Sequence, residues 1–435
     1  PLFDFLQQAY SITTHWAGDM VAGAQDVDPA TREKASFYLR QVAGALSPSN
    51  FVGTNPELLR TTLEENGENL VRGMKMLAED IEAGKGALKI RQSDSTKFEL
   101  GRDMAATPGK VILRNDLMEL IQYAPSTPQV YKRPLFIVPP WINKFYILDL
   151  TAEKSFIRWA VEQGITVFIA SWKNADESIA DATIDTYVEE GILQGVRVAR
   201  EICNTEGAHV IGYCVAGTTL AATMAVLESR SQASQITSAT FFTAQVDFAD
   251  AGELKFFVDD PSVETLDKLT EDKHVLDGRF MATTFNLLRS NDLIWNYVIN
   301  NYMLGKDYFP FDLLYWNSDA TNVPARWHQQ YIKDLYRENL MVQPGALTVC
   351  GVPIDLKTVK TPTFIQAGKE DHIAPAKSAF KLTKAFSGET RFVLASEAVH
   401  QLLPTVRSRC QQFPLRWPEH DEAIAWLTQA GLQPE

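Results

Sequence analysis

Residues 208–218, Ala-His-Val-Ile-Gly-Tyr-Cys-Val-Ala-Gly-Thr, place the tightest constraint on what this chain can fold into. Val210 and Ile211 read as the end of a buried strand, and Thr219 to Leu227 reads as a helix. A strand running straight into a helix needs a sharp turn whose central residue is held in a strained conformation. Strand and helix crowd together there, so the residues two before and two after the centre must be small. Gly212 and Ala216 satisfy that requirement, and Gly217 eases the start of the helix. Cys214 occupies the centre, and no Gly-x-Ser-x-Gly occurs elsewhere. A free cysteine is often only a small buried apolar residue. The glycine-bounded turn and its uncharged surroundings favour a nucleophile instead. The uncharged run Val210 to Leu227 is about long enough for a membrane span. Its Thr and Gly content, and the change from strand-like to helix-like pattern midway, argue against one.

The rest of the chain supplies the setting for such a turn. At 435 residues it can bury a large core divided among more than one domain or subdomain. Hydrophobic content of 45% with 22% charged residues is ordinary for a globular protein. The net charge of −13 argues against nucleic acid as a partner. Cys203, Cys214, Cys350 and Cys410 are too few and too scattered for a disulfide framework or a zinc cluster, which points to a reducing compartment such as cytoplasm. The chain opens at Pro1, without Met and without a signal-like apolar segment, as a trimmed piece of a longer protein would.

Residues 1–104 read as helical. Apolar residues recur at helical spacing in Leu2-Phe3-Phe5-Leu6, Leu58-Leu59-Leu63 and Leu70-Met74-Leu77, with Thr54 or Asn55 available as a cap. This region is expected to serve packing or assembly. From about residue 105 short apolar runs alternate with helical patterns: Gly109–Leu113 and Met118–Tyr123 as a strand pair, Pro134–Val138, a helix near Ser155–Gln163, Thr166–Ser171, a helix over Ile184–Glu201, and the turn strand. Ile236–Thr243 continues the series, and Thr361–Ala367 and Arg391–Ala395 complete it. This rhythm predicts an α/β fold of the α/β-hydrolase type, with a mainly parallel sheet and helices on both faces. Residues 105–245 and 346–435 form its two parts. The aromatic-rich segment 246–345 reads as a cap inserted over the carboxyl edge of the sheet, where ligands bind in α/β folds.

A cysteine nucleophile needs a base to form thiolate, and the base needs an orienting acid. In this architecture they follow in the order nucleophile, acid, histidine, each in a loop after a strand. Asp371 lies after the strand ending at Ala367, and His400 after the strand ending at Ala395. Glu370 is a rival acid. His372 is a rival base, although it would face away from Asp371 in an extended loop. The oxyanion hole should use the backbone N–H of Val215 and a second from Pro139-Pro-Trp-Ile-Asn-Lys144. The proline pair cannot donate, which leaves Trp141 or Ile142, with Ile142 preferred.

Several further segments, with the Gly212–Thr218 turn, resemble the class I polyhydroxyalkanoate synthases over nearly the whole chain. They are Asn55–Leu59, Asn69–Gly73, Phe98–Arg102, Pro139–Asp149, Ser171-Trp172, the long match Phe311–Asn322 and Glu370–Ile373. The resemblance implies an acyltransferase that polymerises (R)-3-hydroxyacyl-CoA into polyester and releases CoA. Cys214 would carry the acyl chain as a thioester, His400 would take the thiol proton, and Asp371 would orient the histidine or help activate the incoming hydroxyl. It further implies a mobile cap, a homodimer at the surface of cytoplasmic polymer granules, the growing polyester chain as a partner, and no metal or redox cofactor.

The sequence departs from the family's pattern in places. Ala216 stands where Gly is usual, a change the turn should tolerate. Ala395-Ser-Glu-Ala-Val-His-Gln-Leu-Leu-Pro404 replaces the usual histidine motif, and the match stays lost to about Trp417 before returning near Ala425-Trp426-Leu427. A divergence bounded by matches on both sides has the form of a shifted reading frame or a replaced segment, and it leaves His400 in doubt as the working base. Family members also continue further at both ends. Two other readings therefore stand beside the synthase: a thioesterase or related hydrolase on the same fold, and a catalytically impaired granule protein.

Overall fold

The computed structural model describes residues 1–86, 88–271, 274–397, 402 and 410–413. The chain divides into two compact units, 1–394 and 395–435, the second beginning where the family resemblance lapses.

The first unit is organised on an eight-stranded sheet: β1 (Gly109–Arg114), β2 (Met118–Tyr123), β3 (Leu135–Val138), β4 (Val167–Trp172), β5 (Ala208–Tyr213), β6 (Ile236–Phe242), β7 (Thr363–Gly368) and β8 (Thr390–Ala395). Their order is β1-β2-β4-β3-β5-β6-β7-β8. β1, β2 and β4 pair antiparallel, whereas β4-β3-β5-β6-β7 run parallel. The central strands are nearly continuous apolar runs because helices cover both faces. Phe136, Ile137, Phe168, Ile169 and Phe241 are all fully buried. The expected strand pair and the expected series of parallel strands are both present.

The helix expected near Ser155–Gln163 forms as α5 (Phe156–Glu162). The helix expected over Ile184–Glu201 forms with an interruption. It is α-helical over Ile184–Thr186, a π-helix over Tyr187–Leu193 and α-helical again over Gln194–Cys203; the whole is called α6 below. Helix α7, the helix of the turn, starts at Val215 rather than Thr219 and runs to Ser229, with every residue from Val215 to Leu227 buried.

Residues 1–83 form four helices: α1 (Leu2–Ala22), α2 (Pro29–Ala45), α3 (Pro56–Glu64) and α4 (Glu68–Ala83). Asn55 caps α3, its side chain accepting from the N–H groups of Glu57 and Leu58 at 3.0 and 3.1 Å. These helices pack onto the insertion between β6 and β7. Helix α4 approaches the backbone at Tyr302 so closely that a Cβ on Gly73 would lie 1.8 Å from the Tyr302 carbonyl oxygen. Buried Asp80 fastens the same contact. It accepts from Tyr302 Oη at 2.5 Å, from Tyr308 Oη at 3.3 Å, and from the backbone N–H and Nε of Arg91 at 3.0 and 3.1 Å. Among the described residues no helix is long and apolar enough to cross a membrane.

Candidate active site

The turn at Cys214 has the strained geometry its sequence requires. Cys214 sits at φ 56° and ψ −127°, a region side-chain-bearing residues seldom occupy. Its N–H donates to Phe242 O at 2.9 Å, tying the turn to the end of β6. Close packing explains the small residues around it. A Cβ on Gly212 would come within 2.6 Å of Gly217 Cα, and one on Gly217 within 2.5 Å of the Ala244 methyl. Ala216 fits without exposure, so the departure from Gly is accommodated.

This turn places Cys214 at the carboxyl edge of the parallel sheet, at the first position before α7. The Val215 N–H lies near enough to the thiol to favour its charged form. On the other side, β3 pairs with β5 so that Val138 lies opposite Gly212, and Pro139–Lys144 leaves the sheet beside the turn. In that loop Trp141 and Ile142 are buried, and neither backbone N–H has a partner among the described residues. The Ile142 carbonyl accepts from Thr321 N–H at 3.1 Å, which fixes the peptide plane. Both candidate donors of the second oxyanion contact are thus available.

Asp371 lies three residues past β7. Its Oδ1 accepts from the N–H groups of Ile373 and Ala374, each at 2.9 Å, so the loop itself holds the carboxylate in place. Burial pushes the Cys214 thiol up to about 11. Val215 N–H pulls against that rise, and the Asp371 carboxylate adds to it, which makes Asp371 an electrostatic neighbour of Cys214. The rival Glu370 is exposed and paired with Lys369 at 2.6 Å. The rival His372 is half-buried, and burial lowers its basicity. Its charged neighbours are Asp371, Arg289 and Glu253, and Cys214 is not among them. His400 lies outside the described residues.

Three side chains at the site were not singled out from sequence: Tyr331, Tyr336 and Gln245. The tyrosines belong to a π-helix, Tyr331–Arg337, whose i to i+5 hydrogen bonding turns residues five apart onto one face. Their rings meet edge to face with centroids 5.3 Å apart. Both phenols are held well above their ordinary range, first by burial and then by groups that include the Cys214 sulfur. Gln245 is buried just past β6. Its backbone carbonyl accepts from Thr218 Oγ1 at 2.6 Å, and its Nε2 makes long contacts of 3.5 Å to Tyr336 Oη and to Ile373 O. Gln245 therefore touches the turn helix, the insertion and the acid loop together, and its buried Oε1 has no partner among the described residues. An α-helical reading of 325–337 would put the two tyrosines on different faces, so only the π-helical geometry brings them together.

The chain is similar to known proteins over most of its length. Residues 1–160 match the family described as the poly-beta-hydroxybutyrate polymerase N-terminus, and residues 137–402 match the α/β-hydrolase fold. A poly(3-hydroxyalkanoate) polymerase of Methylorubrum extorquens is 52% identical over 395 residues, covering 91% of this chain and 65% of the relative. The corresponding polymerase subunit of Rhizobium meliloti is 49% identical over 432 residues, covering 99% and 70%. That of Cupriavidus necator is 43% identical over 381 residues, covering 86% and 64%. The chain thus spans about two thirds of the length of these relatives. It belongs to the poly(3-hydroxyalkanoate) polymerases, an acyltransferase family built on the α/β-hydrolase fold.

Proposed function

We propose that the chain polymerises (R)-3-hydroxyacyl-CoA into polyester through an acyl thioester on Cys214. The observation that carries this reading is the strained nucleophile turn at the carboxyl edge, with Asp371 fixed beside it. The thiol gives its proton to a base, a role the resemblance gives to His400. The sulfur then attacks the substrate carbonyl, and the N–H groups of Val215 and Ile142 receive the developing oxyanion. The carbon–sulfur bond to CoA breaks, and the CoA thiolate leaves with a proton. The 3-hydroxyl of the next 3-hydroxyacyl-CoA, giving up its proton with the help of Asp371, attacks the Cys214-bound acyl group. The acyl–sulfur bond to Cys214 breaks, and the thiolate takes back a proton. The chain, one ester longer and now carried on CoA, can reacylate Cys214. No metal or redox cofactor enters this scheme; CoA enters as the thioester substrate.

The insertion 246–345 acts in this reading as a cap that excludes water, and the tyrosine pair is its inner surface. The protein is proposed to work as a homodimer on cytoplasmic polymer granules, as the resemblance implies.

The test is CoA release from (R)-3-hydroxybutyryl-CoA by the full chain, beside Cys214→Ala and Asp371→Asn. Release accompanied by polymer, abolished in the first variant and reduced by about three to four orders of magnitude in the second, is expected. Release with free hydroxy acid alone would identify a hydrolase. A folded protein without turnover would identify an impaired synthase-like protein.

A further inference from the structure

At the opposite edge of the sheet, where β3, β4 and β5 begin, lies a depression of about 1110 Å³. His209 and Cys214 mark the two ends of β5, roughly 16 Å apart at strand rise. The depression is thus distinct from the candidate active site. Its charge is unusual for a chain of net charge −13. Lys132, Arg133 and Arg200 line it, and Glu206 is the acidic residue in its wall. Among the described residues none of the three cations has a carboxylate partner, although most described arginines do. The described arginines without one are Arg32, Arg60, Arg133 and Arg200, and two of these four line this depression.

Two buried polar atoms in the same wall are also unmatched. Arg200 donates from Nη1 to Gln235 Oε1 at 2.8 Å, but among the described residues its Nε has no acceptor and Thr205 Oγ1 has no partner. Leaving such groups unpaired is unfavourable, because burial removes water without supplying a partner. Arg200 stands in the last turn of α6, where a cation offsets the negative helix end. That offset does not extend to Lys132 and Arg133, which lie in the loop before β3. His209 donates to or accepts from Ser238 Oγ at 2.7 Å. Burial, and then the neighbouring Arg133, lower the basicity of its ring. The Tyr131 ring stands 69% exposed at the rim, and its backbone is fixed by a 2.8 Å bond from its N–H to Gly164 O.

Cations without a carboxylate partner and an open aromatic face are together the groups that recognise phosphate and a stacked base. We infer that this amino-edge depression binds a nucleotide-sized phosphate anion, with Lys132, Arg133 and Arg200 on the phosphates and Tyr131 on the base.

Calorimetric titration of the full chain with ADP, and separately with pyrophosphate, tests the assignment. Saturable ADP binding is expected that weakens with salt. It should weaken at least about tenfold in the exposed double variant Lys132→Glu, Arg133→Glu, and be unchanged in Arg60→Glu, which alters an unpaired arginine elsewhere. Tyr131→Ala should weaken ADP and leave pyrophosphate alone. No saturable binding, or binding that survives the double variant or falls equally in Arg60→Glu, overturns the site. Pyrophosphate binding as tightly as ADP, with Tyr131→Ala silent, overturns the nucleotide assignment.

Discussion

Tyr331 and Tyr336, five residues apart in a π-helix, bring their rings to 5.3 Å of each other beside Cys214. Packing continues outward from the pair: Trp327 stacks on Tyr331 at 5.0 Å, and Phe248 lies 4.7 Å from Tyr336. Cys214 is therefore under an aromatic lid, and its thiol is pushed up to about 11, first by burial. Because the thiolate is the reactive form, alkylation of Cys214 in the resting protein should be slow near neutrality. The rate should climb about tenfold per pH unit, with no plateau below the folded value of about 11. Peptide mass spectrometry after iodoacetamide treatment separates Cys214 from the other cysteines. Tyr331→Ala should speed its labelling at pH 8 by at least about tenfold, and Tyr336→Phe, which keeps the ring, should not. A plateau near pH 8 in the parent protein would refute the burial argument.

The backbone at Cys214 makes a second, independent prediction. Strain of this kind costs on the order of 1–3 kcal/mol, and glycine is free of most of it, while glycine loses about 0.5–1 kcal/mol to the entropy of the unfolded chain. Cys214→Gly and Cys214→Ala should both abolish turnover. The glycine variant should nevertheless be more stable than the alanine variant by about 1 kcal/mol, or roughly 2 °C in melting temperature. Equal or reversed stabilities would mean that the turn is not strained in solution.

Much of this site was legible because its determinants are local. The turn motif states its own geometry through Gly212, Ala216 and Gly217. The strands of the sheet declare themselves as apolar runs because both faces are covered, and Asp371 follows from its place after one of those runs. What stayed hidden depends on phase or on partners distant in sequence. Tyr331 and Tyr336 converge only because the helix carrying them is π-wound there, and no local periodicity signals that winding. Gln245 looked like any loop residue until Thr218, Tyr336 and Ile373 were seen around it. The N-terminal helices were recognisable as packing elements, but their seat on the insertion rests on Gly73 and Asp80 meeting a segment more than two hundred residues away.

That seat can be tested. Asp80 accepts four hydrogen bonds while almost wholly buried, so Asp80→Ala orphans two tyrosine hydroxyls and part of Arg91. Arg91 keeps its second ion pair to Glu79 at 2.9 Å, which moderates the loss. A destabilisation of about 3 kcal/mol is expected. Hydrogen exchange should quicken in 68–83 and 298–308 together while 215–229 stays protected. Faster exchange in α4 alone would show that the insertion does not depend on it.

The insertion also carries an acid sensitivity of its own. His328, between the stacked Trp327 and the tyrosine helix, is buried, and burial lowers it from 6.5 to about 4. A group depressed in the folded state leaves the unfolded chain binding more protons between the two values. The stability that neutral His328 preserves is complete above about pH 6.5 and is lost as pH falls toward 4. By pH 4 the loss should approach about 3 kcal/mol. The acidic chain has many other groups that titrate there, so the comparison must be between variants. His328→Gln cannot take up a proton, and its stability deficit relative to the parent, measured by urea unfolding, should shrink steadily from pH 7 to pH 4.5. Parallel pH profiles for the two proteins would show that His328 reaches solvent and is protonated without unfolding the insertion.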